Sequence, residues 1–314
     1  MLFDEATVSD MMTAWPTKPA LHTPPDASPV PRIVNGELII TYLETGTAPA
    51  DQLIVIKDGH ALHSRAYTTD GYLDAGKIAK WRGRGYTVQL RNLHRWCPAV
   101  HAICSAIQNE TGYGTYATGF VTPAGGQGLH HHWDQNMGLV YQLAGRKTWQ
   151  IWEPGVEEPH REQFASNTSS GSDVLDRMKS MRPDYEFDLS PGQILVLPRG
   201  WMHNPHARGQ TEESVHVTFV ARERTGYWIA GKLAQAALAS TPLRRVIQPA
   251  SVVDRAAFAG QVAEARDLLT EWLARADVNA LAADLLDAAR TESNVDYISH
   301  APRHGPNGHH QSAR

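Results

Sequence analysis

The amino-acid sequence predicts a mainly β protein with flanking helices, a double-stranded β-helix (jelly roll) followed by a C-terminal helical region. Between residues 115 and 221, short apolar and β-branched segments alternate with Gly and Pro, which is typical of antiparallel strands joined by turns. Beyond Arg222 the apolar residues recur with the helical period instead. A His-x-Asp pair, His132 and Asp134, lies inside the strand-rich part and indicates a site within that jelly roll.

Eight short strands are expected in the jelly roll, a number that fits two packed antiparallel sheets. They are predicted at residues 115–122, 128–132, 138–143, 147–152, 185–189, 193–197, 201–205 and 214–220. The polar stretch 154–183, which includes residues 167–172, interrupts these strands and predicts a long, mobile loop beside the site.

The residues before the jelly roll divide into an arm and an α/β elaboration. Residues 1–31 hold six prolines and predict an irregular N-terminal arm. Residues 32–223 are assigned to the jelly-roll domain together with its N-terminal elaboration. That elaboration has strands predicted at residues 33–42, 53–56 and 87–90 and helices predicted at residues 73–81 and 96–109.

Residues 224–290 predict a helical region. Its clearest signal is an amphipathic stripe with steps of three and four residues, formed by Phe258, Val262, Ala265, Leu269 and Trp272. Asp277 is predicted to cap a further helix that carries Leu281 and Leu285. The stripe is expected to form a homodimer interface, and the alternative is that it packs on its own jelly roll. The polar tail, residues 291–314, predicts disorder.

Charge and cysteine content limit the function classes. The formal net charge of −4 gives no general electrostatic case for nucleic-acid binding. Cys97 and Cys104 are separated by two turns of a predicted helix, about 10 Å, which is too far for a disulfide and suits a reducing, cytoplasmic location. The start of the chain lacks the pattern of a signal peptide, and no apolar stretch is long enough to cross a membrane.

The His-x-Asp pair is the strongest candidate for a metal site. In an extended segment, residues two apart point to the same side, so His132 and Asp134 can reach one ion. His203, after the turn at residues 198–201, is predicted as the third ligand. Two His and one carboxylate on one face of the metal are typical of non-haem Fe(II) oxygenases. A competing His130-x-His132 register lacks the Glu that it needs four or five residues later, while His131 is interpreted as structural.

Strand parity predicts which other side chains point into the jelly roll. Lys147 shares a face with Trp149 and Ile151, so it is expected to be buried, and a buried ammonium requires an anion such as a bound dicarboxylate. On the last strand, His216 and Thr218 face away from the apolar residues. That polar stripe is expected to line a cavity, and the alternative is that it faces solvent.

Four segments carry a resemblance to a known family. They are Thr-Pro-Ala-Gly-Gly-Gln-Gly-Leu at residues 122–129, Gln-Leu-Ala-Gly-Arg-Lys-Thr-Trp at residues 142–149, and the closing segments 190–203 and 214–218. Over residues 116–153 and 185–220 the chain resembles the JmjC-type Fe(II)/2-oxoglutarate oxygenases. The resemblance is to the cupin-4 group in particular, which includes the ribosomal oxygenases, and these are protein hydroxylases.

The resemblance implies a cofactor and cosubstrate set. His132, Asp134 and His203 would hold Fe(II), and Lys147 would bind the distal carboxylate of 2-oxoglutarate, with O2 as the oxidant. Thr118 falls where relatives place a polar residue near the cosubstrate, and Thr218 is expected beside it. Met137 and Gly138 replace an acidic residue and a Val of many relatives, which is expected to alter the pocket near the metal. Relatives add a helical dimerisation region, expected here at residues 227–289, and a winged helix for which too few residues remain.

The implied reaction is hydroxylation of an amino-acid side chain of a protein or peptide, ribosomal or biosynthetic, with release of succinate and CO2. A natural product or another small molecule is the alternative substrate. Two other functions stay open at this point. One is a metal cupin enzyme that uses His130, His132 and His203 without 2-oxoglutarate, and the other is a non-catalytic jelly-roll binding protein.

Overall fold

The computed structural model of the protein describes residues 2–26, 28, 30–160, 176 and 179–291. The helices are Glu5–Thr13 (α1), Val30–Ile33 (α2), Gly36–Glu44 (α3), Ala75–Arg82 (α4), Pro98–Thr111 (α5), Gly226–Ala236 (α6), Pro249–Val253 (α7), Arg255–Arg275 (α8) and Val278–Thr291 (α9). The strands are Ala20–His22 (β1), Leu53–Lys57 (β2), His60–Ala61 (β3), Thr68–Thr69 (β4), Tyr72–Leu73 (β5), Thr87–Leu90 (β6), Thr115–Thr122 (β7), Met137–Ala144 (β8), Lys147–Trp152 (β9), Tyr185–Leu189 (β10), Ile194–Leu197 (β11), Met202–His206 (β12) and Ser214–Ala221 (β13).

Two antiparallel sheets form the predicted jelly roll. The larger has the strand order β1-β11-β8-β13-β7-β6-β2-β3, and the smaller has the order β10-β9-β12. Their facing surfaces share one apolar cluster to which strands of both sheets contribute: Val140, Trp149, Ile151, Leu189, Leu195, Leu197 and Trp201. The jelly roll with flanking helices is therefore confirmed, and seven of the eight predicted strands begin and end within one residue of their predicted bounds. The description as mainly β is wrong for the described chain, because its helices contain more residues than its strands.

The outer face of the larger sheet is covered by helices. Buried side chains of α3 and α5, such as Ile39 and Val100, belong to the same core as Val217 and Phe219 of β13. These two strand residues alternate with the polar stripe, as period-two parity requires. The outward face of β13 is thus apolar because helices cover it, and its polar face is turned to the interior.

Two predicted strands are wrong. The segment 33–42 is mostly the helix α3, because the Asn35 side chain accepts a hydrogen bond from Leu38 N at 2.9 Å and caps its first turn. Residues 128–132 form no strand and contribute only an isolated bridge between His132 and His203. Their neighbours are held by the β2–β3 turn, since Asp58 N and Gly59 N donate to the carbonyls of residues 127 and 128.

The arm predicted to be irregular contains regular structure. Helix α1 begins where Asp4 accepts a hydrogen bond from Thr7 N at 2.7 Å. Strand β1 then adds to β11 as an edge strand of the larger sheet, a position that tolerates the prolines around it. Trp201 fixes the connection between the two, because its indole Nε1 donates to Thr17 O at 3.0 Å.

The chain divides into two compact units. The first contains the described residues of 1–111 and 115–222, and the second contains residues 112–114 and 223–291. In the second unit, Asp277 accepts hydrogen bonds from Asn279 N and Ala280 N, so the predicted cap of α9 is confirmed. None of the helices α6 to α9 contains a fully buried residue.

The remaining sequence predictions concern the two cysteines, membrane-spanning helices, and the loop and tail segments. Cys97 and Cys104 are both buried and unbridged. No helix in the described ranges is long and apolar enough to cross a membrane. Most of the loop predicted at residues 154–183, including residues 167–172, and nearly all of the tail predicted to be disordered lie outside the described residues.

Candidate metal centre and adjoining pocket

Three side chains that could bind a metal converge at one mouth of the jelly roll. His132, Asp134 and His203 each offer a donor atom, and the three atoms lie within 4.8 Å of one another. The carboxylate Oδ2 of Asp134 lies 3.7 Å from Nε2 of His203. The two imidazole rings have centroids 4.1 Å apart. Two imidazole nitrogens and one carboxylate oxygen at this spacing suit a non-haem Fe(II) site with open positions.

Backbone hydrogen bonds hold this arrangement. His132 N donates to His203 O at 3.1 Å, and His203 N donates to His132 O at 2.7 Å, so the two residues are fixed opposite each other. Gly200 N donates to Asp134 O at 3.0 Å. Gly200 adopts φ +85°, and a Cβ there would lie 2.5 Å from Pro159 Cγ, so this turn requires glycine. The site is therefore built by main chain that the strands already position.

Each imidazole is oriented by its second nitrogen. His132 Nδ1 lies 2.6 Å from His130 O, and His203 Nδ1 lies 2.9 Å from Trp201 O. A neutral ring that donates from Nδ1 to a carbonyl presents Nε2 as the lone-pair donor, the usual arrangement around protein-bound metals. The residues present therefore fit a divalent metal at this position.

The neighbouring histidines do not join the cluster. The His130 ring lies against the β2–β3 turn, where a Cβ on Gly59 would be 2.8 Å from its Cδ2. His131 packs against Trp152 with ring centroids 5.0 Å apart, and burial lowers the pKa of its imidazole to about 4. Within the described part of the chain, the geometry thus favours the His132–Asp134 register over the His130–His132 register.

Lys147 is buried inside the jelly roll, as parity predicts. Its ammonium donates to Thr122 Oγ1 at 2.9 Å and lies 5.8 Å from the centre of the Phe120 ring. Among the described residues no carboxylate forms an ion pair with it. Burial lowers the pKa of the Lys147 ammonium to about 7. Because a buried charge is costly unless it is paired, an anionic ligand beside Lys147 would stabilise its charged form.

Thr122 is a pocket residue that sequence reasoning missed. Thr122 is completely buried on β7 and accepts a hydrogen bond from Lys147. The predicted site residue Thr118 lies four residues earlier on the same face of that strand. Thr118 pairs directly with Thr218 of β13, and both are buried to the same extent. Thr118 is predicted from the family resemblance alone, and period-two parity from Thr118 would have placed Thr122 on the same face. A Cβ added to Gly138 would lie only 3.2 Å from Thr218 Cγ2, so Thr218 fills the space beside that glycine.

Aromatic rings connect the metal cluster to Lys147. Trp149 lies 5.6 Å from the His203 ring and 5.7 Å from the His216 ring. His216 in turn stacks on Phe120 with centroids 4.7 Å apart and an interplanar angle of 13°. His216 and Ser214 are almost completely buried, which excludes the solvent-facing alternative for the polar stripe. The wall between the two charged groups is thus continuous and largely apolar.

Comparison with known proteins identifies one domain. Residues 89–227 match the family model described as JmjC domain. The chain is 30% identical over 142 residues to the bifunctional lysine-specific demethylase and histidyl-hydroxylase NO66 of Caenorhabditis briggsae, and 32% identical over 132 residues to that of Caenorhabditis elegans. These matches cover 45% and 42% of this chain but only 17% of each relative.

Solved structures show the same fold. The ribosomal oxygenase YcfD from Escherichia coli, in complex with cobalt and succinic acid, superposes with a TM-score of 0.56 at 13% identity over 91% of this chain and 72% of that chain. Its complex with cobalt and 2-oxoglutarate gives a TM-score of 0.52 at 14% identity over 85% and 66%.

Proposed function

Residues 89–227 of this chain form a JmjC domain, and we propose that the protein is an Fe(II)- and 2-oxoglutarate-dependent dioxygenase that hydroxylates an amino-acid side chain of a protein or peptide. The observation that carries this proposal is that the same jelly roll contains both a three-residue metal-ligand cluster and a buried lysine without a carboxylate partner among the described residues. The His132–Asp134–His203 cluster suits Fe(II), and the unneutralised Lys147 suits the far carboxylate of the cosubstrate.

Each residue of the site has a defined role in this proposal. His132, Asp134 and His203 would hold Fe(II) through two imidazole nitrogens and one carboxylate oxygen. Lys147 and Thr122 would bind the distal carboxylate, and the paired Thr118 and Thr218 would line the cavity between. Bound Fe(II) and 2-oxoglutarate supply the oxidation, in which one oxygen atom of O2 enters the substrate and the other enters succinate as CO2 leaves.

The apolar wall contributes by excluding water. Trp149 packs 5.6 Å from the His203 ring, and Phe120 lies 5.8 Å from the Lys147 ammonium, which is itself buried. In such a low-dielectric space, the attraction between the Lys147 ammonium and a carboxylate is stronger than it is in water. The protein therefore orients the cosubstrate, and the substrate side chain has to enter from the metal side.

Succinate formation tests the activity. The full chain with Fe(II), ascorbate and 2-oxoglutarate is expected to release succinate slowly without substrate, and His203→Ala is expected to abolish this release. His131→Ala is the matched control, since that ring lies outside the metal cluster. A wild-type protein that binds metal but never forms succinate would contradict the dioxygenase proposal and favour a binding role.

The substrate class is proposed from the relatives. They are named as a histidyl-hydroxylase and as a ribosomal oxygenase, which favours a protein side chain here as well. Incubation of candidate proteins and peptides with the enzyme is expected to add the mass of one oxygen atom to one residue. If proteins stay unmodified while a small molecule gains that oxygen and stimulates succinate release, the natural-product alternative is correct.

We also propose that the second unit forms a homodimer interface, with residues 224–290 as the dimerisation region. Support comes from apolar side chains that remain exposed on α8 and α9, such as Phe258 at 41%, Val262 at 56% and Leu286 at 63%. Closed two-fold dimers are the commonest soluble assembly. In light scattering, the full chain is expected to have twice the monomer mass, and Val262→Lys is expected to halve it. Glu264→Lys, on the opposite side of α8, is the control.

A further inference from the structure

His216 is a buried polar residue to which the proposed machinery assigns no role. It lies on β13 with 1% of its surface exposed, and its Nδ1 has no hydrogen-bond partner in the described part of the chain. An unsatisfied buried nitrogen destabilises a folded protein because water has been removed and nothing replaces it. Such a group is able to bind a ligand atom that comes within hydrogen-bond distance.

Its surroundings place His216 at the cosubstrate end of the pocket. The imidazole stacks on Phe120, and the same Phe120 ring lies 5.8 Å from the Lys147 ammonium. Burial first, and the positive charge of Lys147 second, lower the pKa of His216 well below its ordinary value. The ring is therefore neutral, and it can donate one N–H without adding a second buried charge.

A second unsatisfied group lies on the same wall. The indole Nε1 of Trp149 is buried and also has no partner among the described residues. Trp149 lies between His203 of the metal cluster and His216, at 5.6 and 5.7 Å between ring centroids. Two residues with unpartnered nitrogens thus lie between the His203 ring of the metal cluster and the Phe120 ring beside Lys147.

We propose that His216 is a cosubstrate-binding residue whose Nδ1–H donates to the distal carboxylate of 2-oxoglutarate beside Lys147. This inference rests on the proposed function. His216 and Lys147 then recognise the same carboxylate in different ways, since Lys147 supplies the charge and the fixed imidazole supplies a directed donor. The pair favours a ligand with a carboxylate at the far end over 2-oxo acids that end in a methyl group, because a methyl group cannot accept a hydrogen bond from either donor.

Three substitutions separate hydrogen bonding from packing. His216→Phe keeps the stack on Phe120 and removes both nitrogens. His216→Asn keeps a donor at the position of Nδ1, and His216→Gln keeps one at the position of Nε2. Isothermal titration of the full chain loaded with Mn(II) measures binding of 2-oxoglutarate and of 2-oxopentanoate, which has the same carbon chain but no distal carboxylate. Thermal melting monitors the fold of every variant.

His216→Phe is expected to weaken 2-oxoglutarate binding about tenfold to a hundredfold and to leave 2-oxopentanoate binding unchanged. His216→Asn is expected to recover most of the loss, and His216→Gln little of it. Equal loss for both ligands, or equal behaviour of the Asn and Gln variants, would overturn the assignment of Nδ1. If His216→Phe unfolds, the contrast between Asn and Gln decides alone. Wild-type protein that binds Mn(II) but no 2-oxoglutarate would instead refute the proposed function itself.

Discussion

In the proposed site, the buried Lys147 is expected to make 2-oxoglutarate binding dependent on pH, and the direction follows from the lowered pKa of its ammonium. Burial lowers the pKa of its ammonium to about 7, because the charged form has lost its hydration. A bound carboxylate stabilises the charged form and raises that pKa again. Above about pH 7 the free protein is therefore largely deprotonated at Lys147, and binding must take up a proton. Affinity for 2-oxoglutarate is expected to fall by up to about tenfold per pH unit above that point.

The loss of 2-oxoglutarate affinity expected on removing the Lys147 ammonium can be estimated. A charge-assisted hydrogen bond contributes about 1.5–3 kcal/mol, so Lys147→Met is expected to weaken 2-oxoglutarate binding about tenfold to more than a hundredfold. The variant should leave metal affinity nearly unchanged, since Lys147 lies at the other end of the aromatic wall from the three predicted ligands. Its pH dependence above neutrality should disappear together with the titrating group.

Titration calorimetry of the Mn(II)-loaded protein provides the assay. Repeating it in buffers with different ionisation enthalpies counts the protons taken up per ligand bound. Lys80→Met, at an exposed lysine of α4, controls for the loss of one positive charge from the molecule. Equal affinity at about pH 6 and about pH 9 with no proton uptake, or an unaffected Lys147→Met variant, would refute the reasoning.

Two further predictions concern the metal and the backbone. Equilibrium dialysis with Co(II) should show metal loss when any one of the three predicted ligands becomes alanine, and retention in His130→Ala; the ligands are His132, Asp134 and His203. The reverse pattern for Asp134 and His130 would support the His-x-His register. Gly145→Ala should destabilise the fold by about 1–3 kcal/mol in thermal melting, because Gly145 has φ +59° and a Cβ would lie 2.1 Å from Glu213 O. Gly192→Ala has φ +88° but open space around the added atom, so a loss as large as that of Gly145→Ala would contradict the steric argument.

Period-two patterns explain why so much of the jelly roll could be predicted. Nearly every residue of β7, β9 and β13 is buried, so in these strands the alternation separates the two faces by residue type and not by exposure. The same parity predicted the inward direction of Lys147 before any register was known. In a helix of only nine residues such as α3, the helical period repeats too few times to distinguish the helix from a strand by pattern alone. In α3, β-branched residues favoured a strand, while one Asn35 cap and the four-residue spacing of Ile39 and Leu43 determined the helix.

Other features depend on partners far away in the chain. Residues 127 and 128 are held by the β2–β3 turn, about seventy positions earlier, and no local pattern reveals that contact. The proximity of Thr122 to Lys147 depends on how β7 and β9 come to face each other across the interior. The stack of His216 on Phe120 depends on the pairing register of β13 and β7. Sequence parity can show that such side chains point inward, but only the fold shows which of them meet.

The two ends of the proposed site differ in how many of their polar side chains already have hydrogen-bond partners. At the metal end, backbone bonds fix His132 and His203 opposite each other, and both Nδ1 atoms have carbonyl partners. The ligand side chains at that end are thus already oriented by the protein, and such preorganisation favours metal binding. At the other end, Lys147 lacks an anion, and nitrogens of His216 and Trp149 lack partners among the described residues. Burial of these groups destabilises the free protein, and an anionic ligand that reaches them from the metal restores that free energy as binding. In the proposed site, the distal carboxylate of the cosubstrate would accept hydrogen bonds from these buried donors.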